Sequence, residues 1–575
     1  MNLIMKYNIK HLFTRSWTLP VVLQIVFCCV SSVTSVGKDK MGNPSVVDES
    51  KTIIKADGPS LKIALNGIVS SNVWNIDASI NPDVLTTTAG CVTFMSGIDT
   101  LTVNIDEWSH KDITVMAIDG DSAHVRINRH AANPYENPNP ELLKRAPSGL
   151  LSPEQAKFDL DALFYTISEV HPNMYSVTGQ VSLLSAINQA SESITDSISI
   201  EELYKIAAPV VAMIGDGHTN LFFPANSVFK RDTKRLPVWM HVESDRTITT
   251  DRSLDSIMPQ GTKVLKINGR TAKQIIDELL PYVSGETEHF RLSRLDDLRP
   301  LIHMSMPAES YEFEYVAPGD NNVYSATFPA LAPDEYMSRV PALKNNNNSN
   351  EPYTFHIDET EQVGIMDFRS FRDQEKMKEF ADSMFTTLRE RGIRDLIIDI
   401  RENGGGASSV GDILLQYFTP RPFIQMEKTL IRITPTTQRL MWYGDMAPGI
   451  YYIATTEDNF HKPLSREEGF YDGKVWLLTS NKTFSSAGSF AWAAQVFGAA
   501  TLIGEETGGM NVSYGDVLGY NLPVSGITCG ISYKRFWKHN ADENDIHGTI
   551  PEYQVPKEQA MKMALQLIRD GRQRK

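Results

Sequence analysis

The rhythm of apolar and polar positions divides the chain into segments of different character. From Leu61 to about Asn128, short runs such as LKIALNGIV, GCVTFMSG, LTVNID, DITVMAIDG and AHVRINR are broken by Gly, Asn and Asp. Short strands at regular spacing, separated by turn residues, predict a small all-β domain over 59–132. From residue 150 the period becomes helical. Phe158, Leu160, Leu163, Phe164, Ile167 and Val170 follow Ser152-Pro153-Glu154, which reads as an N-cap with Pro at the first helical position. Further helical stretches at 181–194 and 200–214 complete a helical subdomain over 150–228, which closes on GDGHTN at 215–220. Residues 233–335 return to β character around GTKVLKING (261–269), followed by a helix from 272 to about 283. Residues 351–575 alternate strand and helix: GIMDF, a helix over 374–390, DLIIDI, a helix over 408–417, VWLLTS, a helix over 489–497, and TLIGEE. That alternation predicts an α/β domain with a mixed or largely parallel sheet. A Pro/Asn-rich stretch at 132–147 and the Asn run at 345–348 read as linkers.

The first 36 residues have a different pattern. Lys6, Lys10 and Arg15 precede an apolar run from Trp17 to about Val30, and small residues follow. This reads as an export signal over 1–36, with a polar flexible leader over 37–58. The apolar run is short for a membrane span, which needs ~20 residues. A retained anchor and lipoprotein processing at Cys28-Cys29 are the competing readings, and Ile25-Val26-Phe27-Cys28 fits a lipobox poorly. Only Cys91 and Cys529 remain in the body. They fall in different expected domains, so two free buried thiols are expected rather than a disulfide.

Composition narrows the function classes. The 575 residues are 41% apolar and 22% charged, as in a globular protein of several domains. A net charge of −15 argues against a nucleic-acid partner and gives no reason to expect binding to acidic lipid surfaces. Phosphate loops, dinucleotide fingerprints, CxxC pairs and HExxH are absent, so neither a nucleotide cofactor nor a metal is expected.

Three segments carry candidate chemistry. In Asp399-Ile400-Arg401-Glu402-Asn403-Gly404-Gly405-Gly406 a buried strand runs into three glycines and then a helix. Glycines there allow close approach of backbone N–H groups to an oxyanion, and no Lys-Ser/Thr follows as a phosphate loop would require. The second segment is Lys482-Thr483-Phe484-Ser485-Ser486, at a strand-to-helix junction where helix N–H donors face a hydroxyl. Helix capping is the plain alternative for either serine. The third is Asp216-Gly217-His218-Thr219. Histidine is the usual partner of an activated serine because it titrates near neutrality, and a fixed turn would hold its tautomer.

DIRENGGG (399–406), TSNKTFSSAGSFAWAAQVFGAATLIGEETGG (479–509), HGTIPEYQV (547–555) and GDGHT (215–219) together resemble the serine peptidase family of C-terminal-processing, or tail-specific, proteases and the tricorn core protease. The resemblance covers roughly 150–575 and leaves out the β-rich segment before it. It implies a multidomain α/β protein: a crotonase-like catalytic core at 351–575, a PDZ-like module at 233–335, the helical subdomain, and the N-terminal all-β domain beside them. In the tail-specific branch a downstream lysine is the general base. Matching Phe490-Ala491 and Gly504-Glu505 to that pattern puts the nucleophile at Ser485. It puts Gly488 where an acidic residue would stand, and Met510, which cannot accept a proton, where the lysine would stand. Lys482 has no counterpart and reads as a solvated surface residue.

The tricorn-like branch instead uses a histidine from the helical subdomain, matched by His218, and an acid before the closing strand. Counting back from Gly548 gives Asp545, with Glu543 second. The implied activity is an exported serine peptidase acting on polypeptides. Ser485 would attack, His218 would move the proton, and Gly404 or Gly405 and Ser486 would hold the oxyanion. Ser486 is the fallback nucleophile. The PDZ-like module would capture unstructured or C-terminal segments by strand addition. The resemblance places such a protein in a bacterial periplasm or cell envelope. The alternatives are a catalytically degenerate peptide- or lipid-binding scaffold and an esterase.

Overall fold

The computed structural model describes residues 149–230, 233–339, 351–440 and 449–573, together with 139–144 and six strands between residues 60 and 129. The expected export signal, leader and Asn-rich linker lie outside the described residues. The six strands pair antiparallel in two groups, Ser60–Ala64 with Ser122–Arg129 and Lys111–Asp119, and Val84–Thr88 with Cys91–Ser96 and Asp99–Asn104.

The α/β domain is built on a six-stranded sheet. Its order is Tyr353–Asp358, Val363–Phe368, Asp395–Asp399, Lys474–Thr479, Thr501–Gly504 and Tyr553–Gln554. The first pair is antiparallel and the rest are parallel, as the alternating pattern predicts. Strands buried on both faces read as continuous apolar runs. Helix Gln374–Glu390 presents Met377, Ala381, Met384, Phe385 and Leu388 to one face, alongside helices Ser408–Leu415 and Ser486–Val496. Helix Lys557–Gln573 covers the other face through Ala560, Ala564 and Ile568, packed on Ile397, Trp476 and Leu478. Asp395–Asp399 and Lys474–Thr479 are adjacent and parallel, so the glycine loop and the serine turn leave the same edge side by side. Ligand sites in such sheets lie outside the carboxyl ends of the strands.

A second, antiparallel sheet was not legible in the apolar pattern. Its order is Gly449–Ala454, Met426–Ile433, Thr528–Lys538 and Val512–Asn521, and the two-residue strand Asn220–Leu221 joins Thr528–Lys538. The helical subdomain forms as expected. Helix Pro153–Val170 starts in a capping box between Ser152 and Gln155, a device that contributes about 1 kcal/mol. Asp159, fully buried on that helix, accepts the Val524 and Ser525 amides at 2.8 and 2.7 Å and so fastens the subdomain to this second sheet.

Between them lies a sheet of order Tyr324–Pro329, Ser310–Val316, Lys263–Ile267, Ile248–Ser253 and Val238–Val242, with helix Ala272–Leu279 following Lys263–Ile267. Its terminal strand Val238–Val242 is not open. The Val242 amide donates to Leu295 O (2.9 Å), and Met240 O accepts from the Leu298 amide (3.0 Å). The chain's own 295–298 segment therefore occupies that edge.

Candidate active site

The serine turn is strained. Ser485 has φ 54° and ψ −125°, a region costly for a residue with a side chain, and it directly precedes helix Ser486–Val496. The surroundings hold it there. The Phe484 amide donates to Asn403 O at 3.0 Å, Thr483 Oγ1 to Ile400 O at 2.8 Å, and Ser486 Oγ to Gly406 O at 2.5 Å. Ser485 makes no side-chain cap of its helix, so its hydroxyl is free for other work. It lies 3.1 Å from His218 Nε2.

Gly405 has φ +101°, and a Cβ there would sit 2.9 Å from both Ser485 Cβ and Ser486 N. Only glycine lets the loop pass this close. The Gly405 amide donates to Asn403 Oδ1 at 2.8 Å, and Asn403 Nδ2 to Phe368 O at 2.8 Å. Gly405 is thus a close-approach residue whose N–H is already engaged, a correction to its expected role as oxyanion donor. Gly404 is exposed on the same loop. Among the described residues the Ser486 amide, in the first helical turn, has no backbone acceptor, and it faces Gly405. The hydroxyl of Ser486 is spent on Gly406.

His218 is carried in by the strand Asn220–Leu221, whose pairing with Gly530 and Cys529 fixes the loop before it. Gly530 lets the loop lie close to the strand: a Cβ there would sit 3.2 Å from His218 O. The ring packs on Phe484 at 4.4 Å, and Phe484 stacks on Phe290 at 4.2 Å. Burial and the Arg294 charge lower the His218 pKa, against the opposing charges of Asp216 and Asp516 and a backbone contact with Tyr514. A neutral imidazole is the form that accepts a proton.

The acid near the imidazole is neither of the two expected. Asp545 Oδ1 accepts the His547 amide at 3.0 Å in a local turn. Glu543 accepts from Trp537 Nε1 at 2.5 Å and Arg535 at 3.4 Å. Their exposed turn is tied to the strand end, and neither reaches His218. The carboxylate that does is Asp216, two residues before the histidine. Its Oδ1 accepts the His218 amide at 2.9 Å and lies 3.9 Å from Nδ1. Its Oδ2 accepts from Ser532 Oγ at 2.6 Å and lies 3.2 Å from His171 Nε2. The Asn173 amide donates to His171 Nδ1, which leaves the ring proton on Nε2, facing Asp216. Burial would raise the Asp216 pKa, but hydrogen bonding and charge from His171, with His218 and Ser532, hold it well below the carboxylate range. The expectation named GDGHT but assigned its aspartate nothing. An Asp two residues before a candidate histidine was the available signal, because Asp often hydrogen-bonds the backbone two residues on.

Two lysines also differ from expectation. Lys482 is a partly buried ion-pair residue, 2.5 Å from Asp296 and 3.1 Å from Glu402, rather than a solvated one. Lys538 is buried, with Nζ 2.9 Å from Asn511 Oδ1 and 3.6 Å from where a Cβ on Gly488 would be. A side chain at 488 would meet this ammonium. Burial pushes its pKa down to about 7, opposed by the Glu286 charge. Cys529 is a free buried thiol. Among the described residues no group of His, Cys, Asp and Glu is arranged to hold a metal, and no helix is long and apolar enough to cross a membrane.

Residues 362–555 match the model of peptidase family S41. In solved structures, the chain is similar to mature CPAF at 15% identity, covering 73% of this chain and 96% of that one, with a TM-score of 0.53. It is similar to mature CPAF complexed with lactacystin at 14% identity, 73% and 97% coverage, and a TM-score of 0.54. At such identities the structural likeness speaks for the fold. The matched residues span both the glycine loop and the serine turn, and their similarity to peptidase family S41 supports a serine peptidase.

Proposed function

We propose that this chain hydrolyses polypeptides through Ser485 and His218, with Asp216 as the acid that orients and charge-stabilises the histidine. The observation that carries this reading is the 3.1 Å contact between Ser485 Oγ and His218 Nε2, made on a strained turn. Ser485 attacks the scissile carbonyl carbon as its proton passes to His218 Nε2. The imidazolium then protonates the leaving amine, and a water, deprotonated by His218, releases the acyl group. The tetrahedral oxygen is stabilised by the Ser486 amide at the helix N-terminus, with the Gly404–Gly405 backbone beside it. Histidine serves as base in place of lysine, since Met510 stands where the family lysine would and Lys538 is bonded to Asn511.

The substrate is an extended polypeptide segment. We read 233–335 as a PDZ-like module and 59–132 as a separate all-β domain, in a protein exported to a cell envelope by the signal at 1–36. The order of strands and helix around 261–283 supports the first of these, the paired short strands the second, and the charged-then-apolar N-terminus the third.

The test is labelling with a fluorophosphonate, with Ser485→Ala and Ser486→Ala as controls. Labelling is expected in the native chain and in Ser486→Ala, and lost in Ser485→Ala. No labelling of folded native protein would sink the reading in favour of a binding scaffold. Turnover of casein, unchanged by His218→Ala, would remove the histidine. Cleavage of p-nitrophenyl esters without any peptide turnover would point to an esterase.

A further inference from the structure

Resting on the Ser485–His218 reading, we propose that Glu286 is a positioning residue for His218, acting through Arg294 by offsetting the guanidinium charge that opposes imidazolium formation. Both Glu286 carboxylate oxygens are buried and have no side-chain partner among the described residues. The backbone of Glu286 itself and of Gly217 acts on the carboxylate. A Cβ on Gly217 would lie 3.1 Å from Glu286 Oε2, and one on Gly509 4.0 Å away. The carboxyl group therefore sits directly behind the histidine loop. Arg294 is eight positions further along the same segment. It donates to Gly217 O and lies over Phe290 and Phe484, 5.2 and 5.4 Å from their ring centres. One guanidinium thus touches the residue before His218 and the residue before Ser485.

The charges around this point are few. Asp216 faces Glu286 from the histidine loop, Arg294 from its own segment, and Lys538 from strand Thr528–Lys538. Arg294 is opposed by Glu286 first and Asp216 second. Its charge also weighs against a proton on His218. Catalysis places a proton on His218 transiently, so a carboxylate that neutralises Arg294 favours the transition state. A buried carboxyl without a hydrogen-bonding side chain is a poor structural element, and such groups concentrate at functional sites. Burial and the Asp216 charge push the Glu286 pKa up to about 7, so its charge changes within the working range of a histidine base.

The experiment follows the pH dependence of fluorophosphonate labelling in the native chain, Ser485→Ala and Glu286→Gln. Native labelling that is lost in Ser485→Ala secures the serine reading by itself. Absence of native labelling removes that reading and this proposal with it. Given labelling, the native rate is expected to show a second rise near pH 7. Glu286→Gln is expected to lack it, matching the native rate below pH 6 and falling about 3- to 10-fold short above pH 8. Superimposable profiles at every pH overturn the proposal. If Glu286→Gln is not folded by circular dichroism, Arg294→Met takes its place: the second rise is expected to vanish, and its retention overturns the proposal.

Discussion

Ser485 stands at the carboxyl end of a parallel strand, in a turn fixed by its immediate neighbour, the glycine loop of the adjacent strand. His218 stands on a loop between a helix and a two-residue strand, and its surroundings come from residues 171, 286, 294, 514 and 532, scattered over the whole chain. The nucleophile is therefore a local construction and the base a tertiary one. Strain can be stored in a turn because two neighbouring strands over-determine it. A histidine tautomer and a charge balance need groups that only packing brings together.

Four tests break or sharpen that contrast. The largest effect is expected for Asp216→Asn, a loss of about 10²- to 10⁴-fold in kcat by analogy with orienting carboxylates elsewhere. Asp545→Asn and Glu543→Gln are expected to stay within about threefold. Kinetics on an unfolded protein substrate decide it, and a larger loss for Asp545→Asn would return the acid to the C-terminal turn. Gly405→Ala tests the local side. Its Cβ would meet the Ser486 amide, so a loss of roughly 100-fold in labelling rate is expected, with destabilisation of about 1–3 kcal/mol in a denaturant titration.

Third is stability against pH. Glu286 has a folded pKa raised above its ordinary value of 4.5, so the fold favours its protonated form. That stabilisation is present below pH 4.5 and is lost as pH rises to about 7. Glu286→Gln is then expected to gain stability relative to the native chain as pH rises through those limits, reaching on the order of 3 kcal/mol by pH 8. Thermal melts of both proteins at pH 4.5 and 8 check the sign, and an equal difference at the two pH values contradicts it. The smallest effect is expected for Lys538→Met, within about threefold of native activity. Casein turnover reads it, and a loss as large as that of His218→Ala would make Lys538 the base.

The parallel sheet was legible because its strands are short continuous apolar runs and its helices carry one apolar stripe. Helix Gln374–Glu390 falls on its expected span, and the serine helix begins three residues earlier than its apolar pattern suggested. The antiparallel sheet was hidden because glycines interrupt its strands, notably Gly515, Gly519 and Gly530, one of which makes room for His218. Ser485, His218 and the glycine loop could be named from motifs. Asn403, Glu286 and Arg294 act through burial and packing, which have no signature along a chain, whereas Asp216 was marked only by its two-residue spacing from His218. The C-terminal acids misled for the converse reason: three carboxylates in four residues are conspicuous in a sequence, yet such a cluster is cheapest in solvent.

The occupied edge at Val238–Val242 has a thermodynamic consequence. A peptide adding there as a strand competes with segment 295–298, which is tethered to the same sheet and so present at an effective concentration in the millimolar range. Binding is taxed by the population of the vacated state, and a weak ligand reports only that tax. The competitor lies next to Arg294 and Asp296, the partners of Gly217 O and Lys482. If displacing that segment also broke those two contacts, linkage would make the coupling reciprocal: loosening them would raise the affinity of the edge for a peptide by the same factor by which peptide binding weakened them.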